Sequence, residues 1–300
     1  MSLPGIRCSR AHGPAVAWLH RLARAGVLLA LGWGLAAGAR AQDAAGYRFS
    51  PVPQYAIPLV AAYWNPILAW VSERSGVKLS LKVSRTSAET TSFVLAGDID
   101  FAFTNHLFSP EREHLGWRVF GRRLTPAVQG QIIVPADSPI TDLAQLEGKD
   151  VAFPGPEALV AYKFTMSQLM ARKLSVKPVF GGNMDGALAQ LYSGKAVAAG
   201  VNSQLAEAHA RREGRKYRVL WTSEPLHDLA LMASSRVPEK DLQAVAKAFA
   251  AMHQDPKGRE VLVEVSNLVG LGAEAWFITS DGSEYNAYRR FFQTAPAALR

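Results

Sequence analysis

The sequence predicts an α/β protein built from two similar lobes in one chain. Val77–Asn105 and Leu174–Asn202 show the same order of strand, polar loop, helix, glycine and strand at an offset of 97 residues. Open parallel sheets bind ligands at the carboxyl ends of their strands, where these loops lie. If the two edges face each other, the chain closes around a ligand. Chance self-similarity is the alternative, and the matched order of elements argues against it.

The first 41 residues differ in composition from the rest of the chain. They contain five arginines and no acidic residue, and their apolar run, Ala25–Gly38, is shorter than the ~20 residues that span a bilayer. The segment Ala39-Arg40-Ala41 is typical of a signal-peptidase site. We therefore predict a signal peptide over residues 1–41, a mature chain starting near Gln42 and a periplasmic location. An uncleaved membrane anchor is the alternative.

Charge and cysteine content exclude several classes of protein. The net charge of +8 falls to +3 without the five signal-peptide arginines, so a basic nucleic-acid surface is not indicated. The single cysteine, Cys8, lies in the predicted signal peptide. The mature chain then has no disulfide, no thiolate metal site and no nucleophilic cysteine.

The first lobe opens with a strand at Tyr47–Ser50. Asn65 and Pro66 suggest the N-cap and first residue of a helix that Gly76 ends. A strand follows at Val77–Val83. The next helix has Thr86 as its N-cap and Glu89 three residues later, which is a capping box, and a strand at Ile99–Phe103 follows it.

The second lobe repeats this pattern. We expect its elements to be a strand beginning at Gln131, a strand at Val151–Phe153, a helix at Glu157–Lys173, a strand ending at Asn202 and a strand at Tyr217–Trp221.

The remaining elements are a strand at Leu229–Ala233 and a helix at Glu239–His253, which we expect to complete the first lobe. Residues 42–128 and 226–300 then form lobe 1, and residues 129–225 form lobe 2. The chain crosses between the lobes near Thr125–Gln131 and Thr222–Asp228, and two crossings permit hinge closure.

No catalytic signature is present. The sequence lacks the motifs of serine hydrolases, zinc proteases and P-loop enzymes, and the histidines are not spaced as metal ligands. We expect no metal, no cofactor and no enzymatic activity. His106 follows a predicted strand and could face a ligand, but a lone histidine is more often structural.

The candidate ligand contacts are polar or small residues in loops at strand ends, where helix N-termini offer free N–H groups. Each of them could instead serve only as a helix cap. The set comprises Gln54, Tyr55, Arg85, Thr86, Ser87 and Asn105 in the first lobe, and Gly155, Glu157, Asn183, Asp185 and Asn202 in the second.

Three segments resemble the phosphonate-, phosphite- and phosphate-binding periplasmic proteins of ABC importers. They are Leu146–Phe153, the turn Gly181–Ala187 and Asp255–Leu262. The resemblance implies a two-lobe type II periplasmic-binding fold, with two crossover strands and a ligand cleft between the lobes. It also implies a small-molecule ligand and an ABC permease as partner.

Two departures from the family pattern concern the ligand. Relatives place Ser and Thr at the helix start that grips phosphonate oxygens, whereas this chain has Pro156-Glu157-Ala158. In the second-lobe turn, relatives carry Ser-His-Asp and this chain carries Asn183-Met184-Asp185. The acid that would meet a ligand's amino group is retained, and the histidine is lost.

We therefore expect a monomeric, non-catalytic solute-binding protein for a small oxyanion, a phosphonate-like ligand or a zwitterion. Three alternatives stay open. The protein could present its ligand to a membrane sensor kinase or a redox system, act as a protein-binding accessory, or be a periplasmic enzyme on the same scaffold.

Overall fold

Two mixed β-sheets organise the molecule, each covered by helices. The structure is a computed structural model that describes residues 46–272 and 275–300. The predicted signal peptide lies outside the described residues. Within them, no helix is both long enough and apolar enough to cross a bilayer.

The first sheet has six strands in the order β11-β4-β10-β3-β1-β2. Strand β1 runs parallel to β2 and β3, while β10 pairs antiparallel with β3 and β4 and β11 pairs antiparallel with β4, so the C-terminal segment adds strands to the N-terminal unit. The strands are β1 (Tyr47–Pro51), β2 (Leu79–Leu81), β3 (Phe101–Thr104), β4 (Arg118–Leu124), β10 (Ala230–Ala233) and β11 (Trp276–Thr279).

The second sheet has five strands in the order β7-β6-β8-β5-β9. Strands β6, β7 and β8 are parallel, and β5 pairs antiparallel with β8 and β9. The strands are β5 (Gly130–Pro135), β6 (Asp150–Phe153), β7 (Lys177–Phe180), β8 (Ala198–Asn202) and β9 (Tyr217–Thr222).

The described residues form nine α-helices that cover these sheets. They are α1 (Ile57–Ser75), α2 (Ser87–Leu95), α3 (Pro110–Glu113), α4 (Thr165–Ala171), α5 (Met184–Tyr192), α6 (Ser203–Glu213), α7 (Glu239–Ala251), α8 (Pro256–Leu268) and α9 (Asn286–Thr294).

The two segments that join the sheets pair with each other. The N–H groups of Val128 and Leu226 each donate to the carbonyl of the other at 2.8 Å. The first segment lies between β4 and β5, and the second lies between β9 and β10. The lobe boundaries at 128/129 and 225/226 stay a prediction.

The predicted start of α1 at Asn65 is wrong. The helix begins at Ile57 with Pro58 in its first turn, and Pro66 lies inside it. Proline removes one backbone hydrogen bond. The helix continues because residues on both sides of Pro66, including Trp64 and Ile67, are buried in one core.

The helix predicted at Glu157–Lys173 starts two residues later and opens with a π-helical segment, Leu159–Phe164, which continues into α4. A glycine on β8 lets this first turn pack tightly on the sheet. A Cβ on Gly200 would lie 2.4 Å from Ala161 O, so any larger residue would push the turn away.

Aromatic residues form the centre of the first lobe. The Trp64 ring lies 4.8 Å from Phe49, 5.1 Å from Phe103 and 5.9 Å from Phe277, measured between ring centroids. All four side chains are at most 2% exposed. Burial of such side chains contributes roughly 1.5–3 kcal/mol each, and it holds α1 against the sheet whose loops face the second lobe.

Candidate functional site

A cavity of about 60 Å³ lies between the two lobes. The first lobe supplies the loops after β1 and β3, and the second lobe supplies the loops after β6 and β8 and the start of α5. Its lining residues are Val52, Pro53, Gln54, Asn105, His106 and Leu229 on one side, and Pro154, Ala158, Leu159, Val160, Ala161, Met184, Asn202 and Leu205 on the other.

Three of the predicted site residues line this cavity, namely Gln54, Asn105 and Asn202. Three larger cavities, of about 620, 700 and 400 Å³, contain none of the predicted residues. The interlobe cavity is therefore the candidate site.

Hydrogen bonds orient two of the carboxamides in this cavity. The Gln54 Oε1 atom accepts from Arg123 Nη2 at 3.1 Å, and the Asn202 Oδ1 atom accepts from the N–H of Gln204 at 3.0 Å. Because each amide oxygen already accepts a hydrogen bond, the NH₂ group of each side chain is the end without a partner. Both NH₂ groups are available as donors to a ligand.

The first turn of the helical segment after β6 supplies backbone donors. The N–H groups of Leu159, Val160 and Ala161 have no acceptor among the described residues. All three residues are buried and line the cavity. Buried N–H groups require a partner, and a helix N-terminus favours an anionic one.

A buried ion pair supports the first-lobe side of the cavity. Arg123 and Asp228 are each 1% exposed, and Arg123 Nε donates to Asp228 Oδ2 at 2.7 Å. Burial opposes the charge on Arg123, but Asp228, Tyr63 and Tyr55 together raise the pKa of the guanidinium. The same guanidinium donates to Gln54 and to the Tyr63 hydroxyl, so the pair holds Gln54 in place.

Glu157 forms an ion pair across the lobes. Its carboxylate accepts two hydrogen bonds from the Arg112 guanidinium, at 2.5 and 3.2 Å. Burial alone would raise the pKa of Glu157, but the bonds from Arg112 lower it below its usual range. The carboxylate is therefore ionised and neutralised by a first-lobe cation.

Asp185 also joins the lobes. It accepts from the N–H of Ala56 at 3.0 Å, from Arg212 Nη2 at 2.7 Å, and lies 3.0 Å from His209 Nδ1. Burial opposes ionisation, but these contacts lower the pKa of Asp185. Neither Glu157 nor Asp185 lines the cavity.

Two loops related by the 97-residue repeat lie against each other. A Cβ on Gly182 would lie 3.8 Å from Arg85 O and from Thr86 Cγ2. Gly155 approaches Ser87 in the same way, since a Cβ there would lie 2.8 Å from Ser87 Oγ. The two loop edges therefore face each other.

Of the other predicted residues, two are helix caps, Tyr55 and Ser87 are buried, and Arg85 is exposed. Thr86 caps α2 by accepting from Glu89 N, and Asn183 caps α5 by accepting from Gly186 N. The buried Tyr55 hydroxyl has no hydrogen-bond partner within the described part of the chain. Whether any predicted residue contacts a ligand stays a prediction.

Polar groups in the cavity are mainly hydrogen-bond donors, and no Lys, Arg, Asp or Glu lines it. Among the described residues, no group of three or more His, Cys, Asp or Glu side chains is arranged to hold a metal ion. The arrangement can bind oxygen atoms through neutral donors and can enclose a small apolar group.

The family model described as "ABC transporter, phosphonate, periplasmic substrate-binding protein" matches residues 49–275. The chain belongs to this family, whose members are the substrate-binding proteins of ABC transporters. No curated protein matches the sequence.

Solved structures show the same fold. PhnD1 from Prochlorococcus marinus in complex with methylphosphonate has a TM-score of 0.69 at 13% identity, covering 82% of this chain and 97% of that one. A binding protein of an ABC phosphonate transporter from Pseudomonas aeruginosa has a TM-score of 0.69 at 14% identity, covering 82% and 86%.

The periplasmic aliphatic sulphonate binding protein SsuA from Escherichia coli is more distant, with a TM-score of 0.55 at 15% identity, covering 82% of this chain and 90% of that one. These similarities identify the fold as the two-lobe type II periplasmic-binding fold.

Sequence reasoning missed the cations that pair with acids around the cavity. Arg112 and Arg123 lie in a short helix and an unpredicted strand, far from any motif. Arg212 and His209 form one face of α6, a spacing that marks neighbours on a helix but does not reveal that Asp185 lies opposite.

Proposed function

We propose that this protein captures a compact oxyanion of phosphonate type in the interlobe cavity and delivers it to an ABC permease. The observation that carries the proposal is the set of three buried, unpartnered N–H groups at Leu159–Ala161, facing the free amides of Gln54 and Asn202. Donors from both lobes would converge on the oxygens of one head group, and this would favour the closed form.

The volume and lining of the cavity restrict the ligand. About 60 Å³ is well below the ~300 Å³ of a drug-sized site, so the ligand must be small. The apolar residues Val52, Leu159, Met184 and Leu205 surround the donors. A phosphonate with a methyl-sized substituent suits this combination. The ligand of PhnD1, methylphosphonate, is of this kind.

The ligand class can be tested by placing a negative charge in the cavity. Asn105→Asp keeps the shape of the side chain but replaces two donors with carboxylate oxygens. We expect titration calorimetry with methylphosphonate to show at least a tenfold loss of affinity. Asn267→Asp makes the same change on an exposed position of α8 and should leave affinity unchanged. Equal binding by both variants would exclude an oxyanion site here.

Transport and sensing call for different experiments. A transport component should restore uptake of its ligand when returned to a deletion strain, whereas a sensor subunit should restore only a transcriptional response. We propose transport, because the family consists of transporter components. We further propose a monomeric, non-catalytic mature protein in the periplasm. N-terminal sequencing of the exported protein should begin at or near Gln42.

A further inference from the structure

His106 is buried on the cavity wall and has one uncommitted ring nitrogen. The residue is 3% exposed and lines the cavity. Its Nδ1 atom lies 3.1 Å from Thr91 Oγ1, whereas Nε2 has no hydrogen-bond partner among the described residues. The second nitrogen is therefore available to a ligand.

The contacts of Thr91 allow the proton of His106 to lie on Nδ1. A hydroxyl has one hydrogen, and Thr91 Oγ1 lies 3.3 Å from Ser87 O in the preceding turn of α2 and 3.1 Å from His106 Nδ1. In the tautomer with the hydrogen on Nδ1, the hydroxyl donates to Ser87 O and its oxygen accepts from His106 Nδ1. A neutral imidazole protonated at Nδ1 presents Nε2 as an acceptor.

The surroundings keep the ring neutral near pH 7. Burial lowers the pKa of His106 to about 4, and the charged groups that face the ring oppose one another. Glu157, in the loop after β6, favours protonation. Arg112 of α3 and Lys163 of the π-helical segment disfavour it.

In this tautomer His106 adds an acceptor to a cavity whose oriented amides and free N–H groups donate. A fully deprotonated oxygen facing Nε2 would put two lone pairs in contact, whereas a hydroxyl there would donate a hydrogen bond. We propose that His106 makes the site selective for a singly protonated oxyanion, such as a hydrogen phosphonate monoanion, over an unprotonated anion of the same shape. This inference rests on the proposed function.

The test compares methylphosphonate with methanesulfonate, which matches it in shape but carries no acidic hydrogen at neutral pH. Calorimetry from pH 5.5 to 9.5 should show a constant methylphosphonate affinity while the monoanion predominates, and then a decline that approaches tenfold per pH unit above the ligand's second ionisation. Methanesulfonate should bind at least tenfold more weakly at pH 5.5, without that dependence. Because protein groups titrate in both experiments, the difference between the ligands isolates the ligand proton.

Two further measurements address the tautomer. Nitrogen-15 NMR of the ligand-free protein should show His106 unprotonated at Nε2. Thr91→Val removes the partner of Nδ1, so the ring can carry its hydrogen on Nε2 instead. Methanesulfonate should then gain affinity severalfold relative to methylphosphonate. Thr90→Val is the matched control, because the Thr90 hydroxyl contacts Ser84 rather than His106.

The outcomes separate the two proposals. Equal affinity for both anions with the same pH dependence, or a ring protonated at Nε2, overturns the role of His106 and leaves the oxyanion site standing. If neither anion binds at millimolar concentration, both proposals fail.

Discussion

Two ion pairs flank the cavity and differ in their surroundings. Arg123–Asp228 lies inside the first lobe with both side chains 1% exposed, while Arg112–Glu157 joins the two lobes with side chains 22% and 20% exposed. Loss of one partner leaves an uncompensated buried charge in the first pair, whereas water can solvate the second. We therefore expect the inner pair to contribute mainly to stability and the outer pair to closure of the lobes.

The largest effect is expected from Asp228→Asn. It leaves the Arg123 charge buried without its counter-ion, so we expect the free energy of unfolding to fall by about 3–5 kcal/mol. Urea unfolding monitored by tryptophan fluorescence measures this. Asp98→Asn, which removes the exposed partner of Lys82, should cause a much smaller loss, because water solvates both charges. Similar losses in the two variants would erase the distinction between buried and exposed pairs.

Arg112→Gln should weaken methylphosphonate binding about two- to fivefold, the equivalent of roughly 0.5–1 kcal/mol for a partly exposed pair. In a Glu157→Gln background it should have a smaller further effect, because Arg112 then keeps only its hydrogen bond to the His106 carbonyl. Arg122→Gln is the matched control, since the Arg122–Glu284 pair has similar exposure but lies within the first lobe. A comparable loss of affinity in that control would contradict a role in closure.

Small-angle scattering can report closure directly. Wild-type protein saturated with methylphosphonate should have a smaller radius of gyration than ligand-free wild-type protein, and ligand-free Arg112→Gln protein should have a larger one. If the two ligand-free radii agree, the outer pair does not bias the lobes.

A smaller effect is expected for Asp185→Asn. The amide oxygen can still accept from Ala56 N–H, so closure should persist. If Asp185 met a ligand ammonium group, this variant would weaken the binding of aminomethylphosphonate more than that of ethylphosphonate. The second ligand has a methyl group where the first has the ammonium group. Because Asp185 is bound to Arg212 and His209 outside the cavity, we expect calorimetry to show equal changes for both.

The smallest effect is expected on the unfolding free energy when the pH is lowered. The pKa values of Glu157 and Asp185 are lowered in the folded protein, so their stabilisation is present above the unfolded-state pKa of about 4. It is lost as pH falls through the lower folded-state values. The unfolding free energy should therefore decline below pH 4. The decline should be shallower in Glu157→Gln, and an unchanged slope would show that this carboxylate does not contribute.

Much of the fold could be predicted from local pattern. Thr86 and Asn183, 97 residues apart, cap equivalent helices, as the repeat implied. The prediction for α1 failed because Asn65-Pro66 is a strong local start signal, but burial of residues on both sides of Pro66 extends the helix through it.

The sequence by itself determined the α/β class, the family and the strand ends that carry polar loops, because these depend on the order and spacing of neighbouring residues. Only the tertiary structure decided which charged side chains form ion pairs with each other. Arg112 meets Glu157 and Arg123 meets Asp228 across separations of 45 and 105 residues. Such partners are chosen by packing between elements, and no local pattern records them. Packing therefore decided that the acids at the helix starts bind protein cations while amides and backbone N–H groups face the cavity.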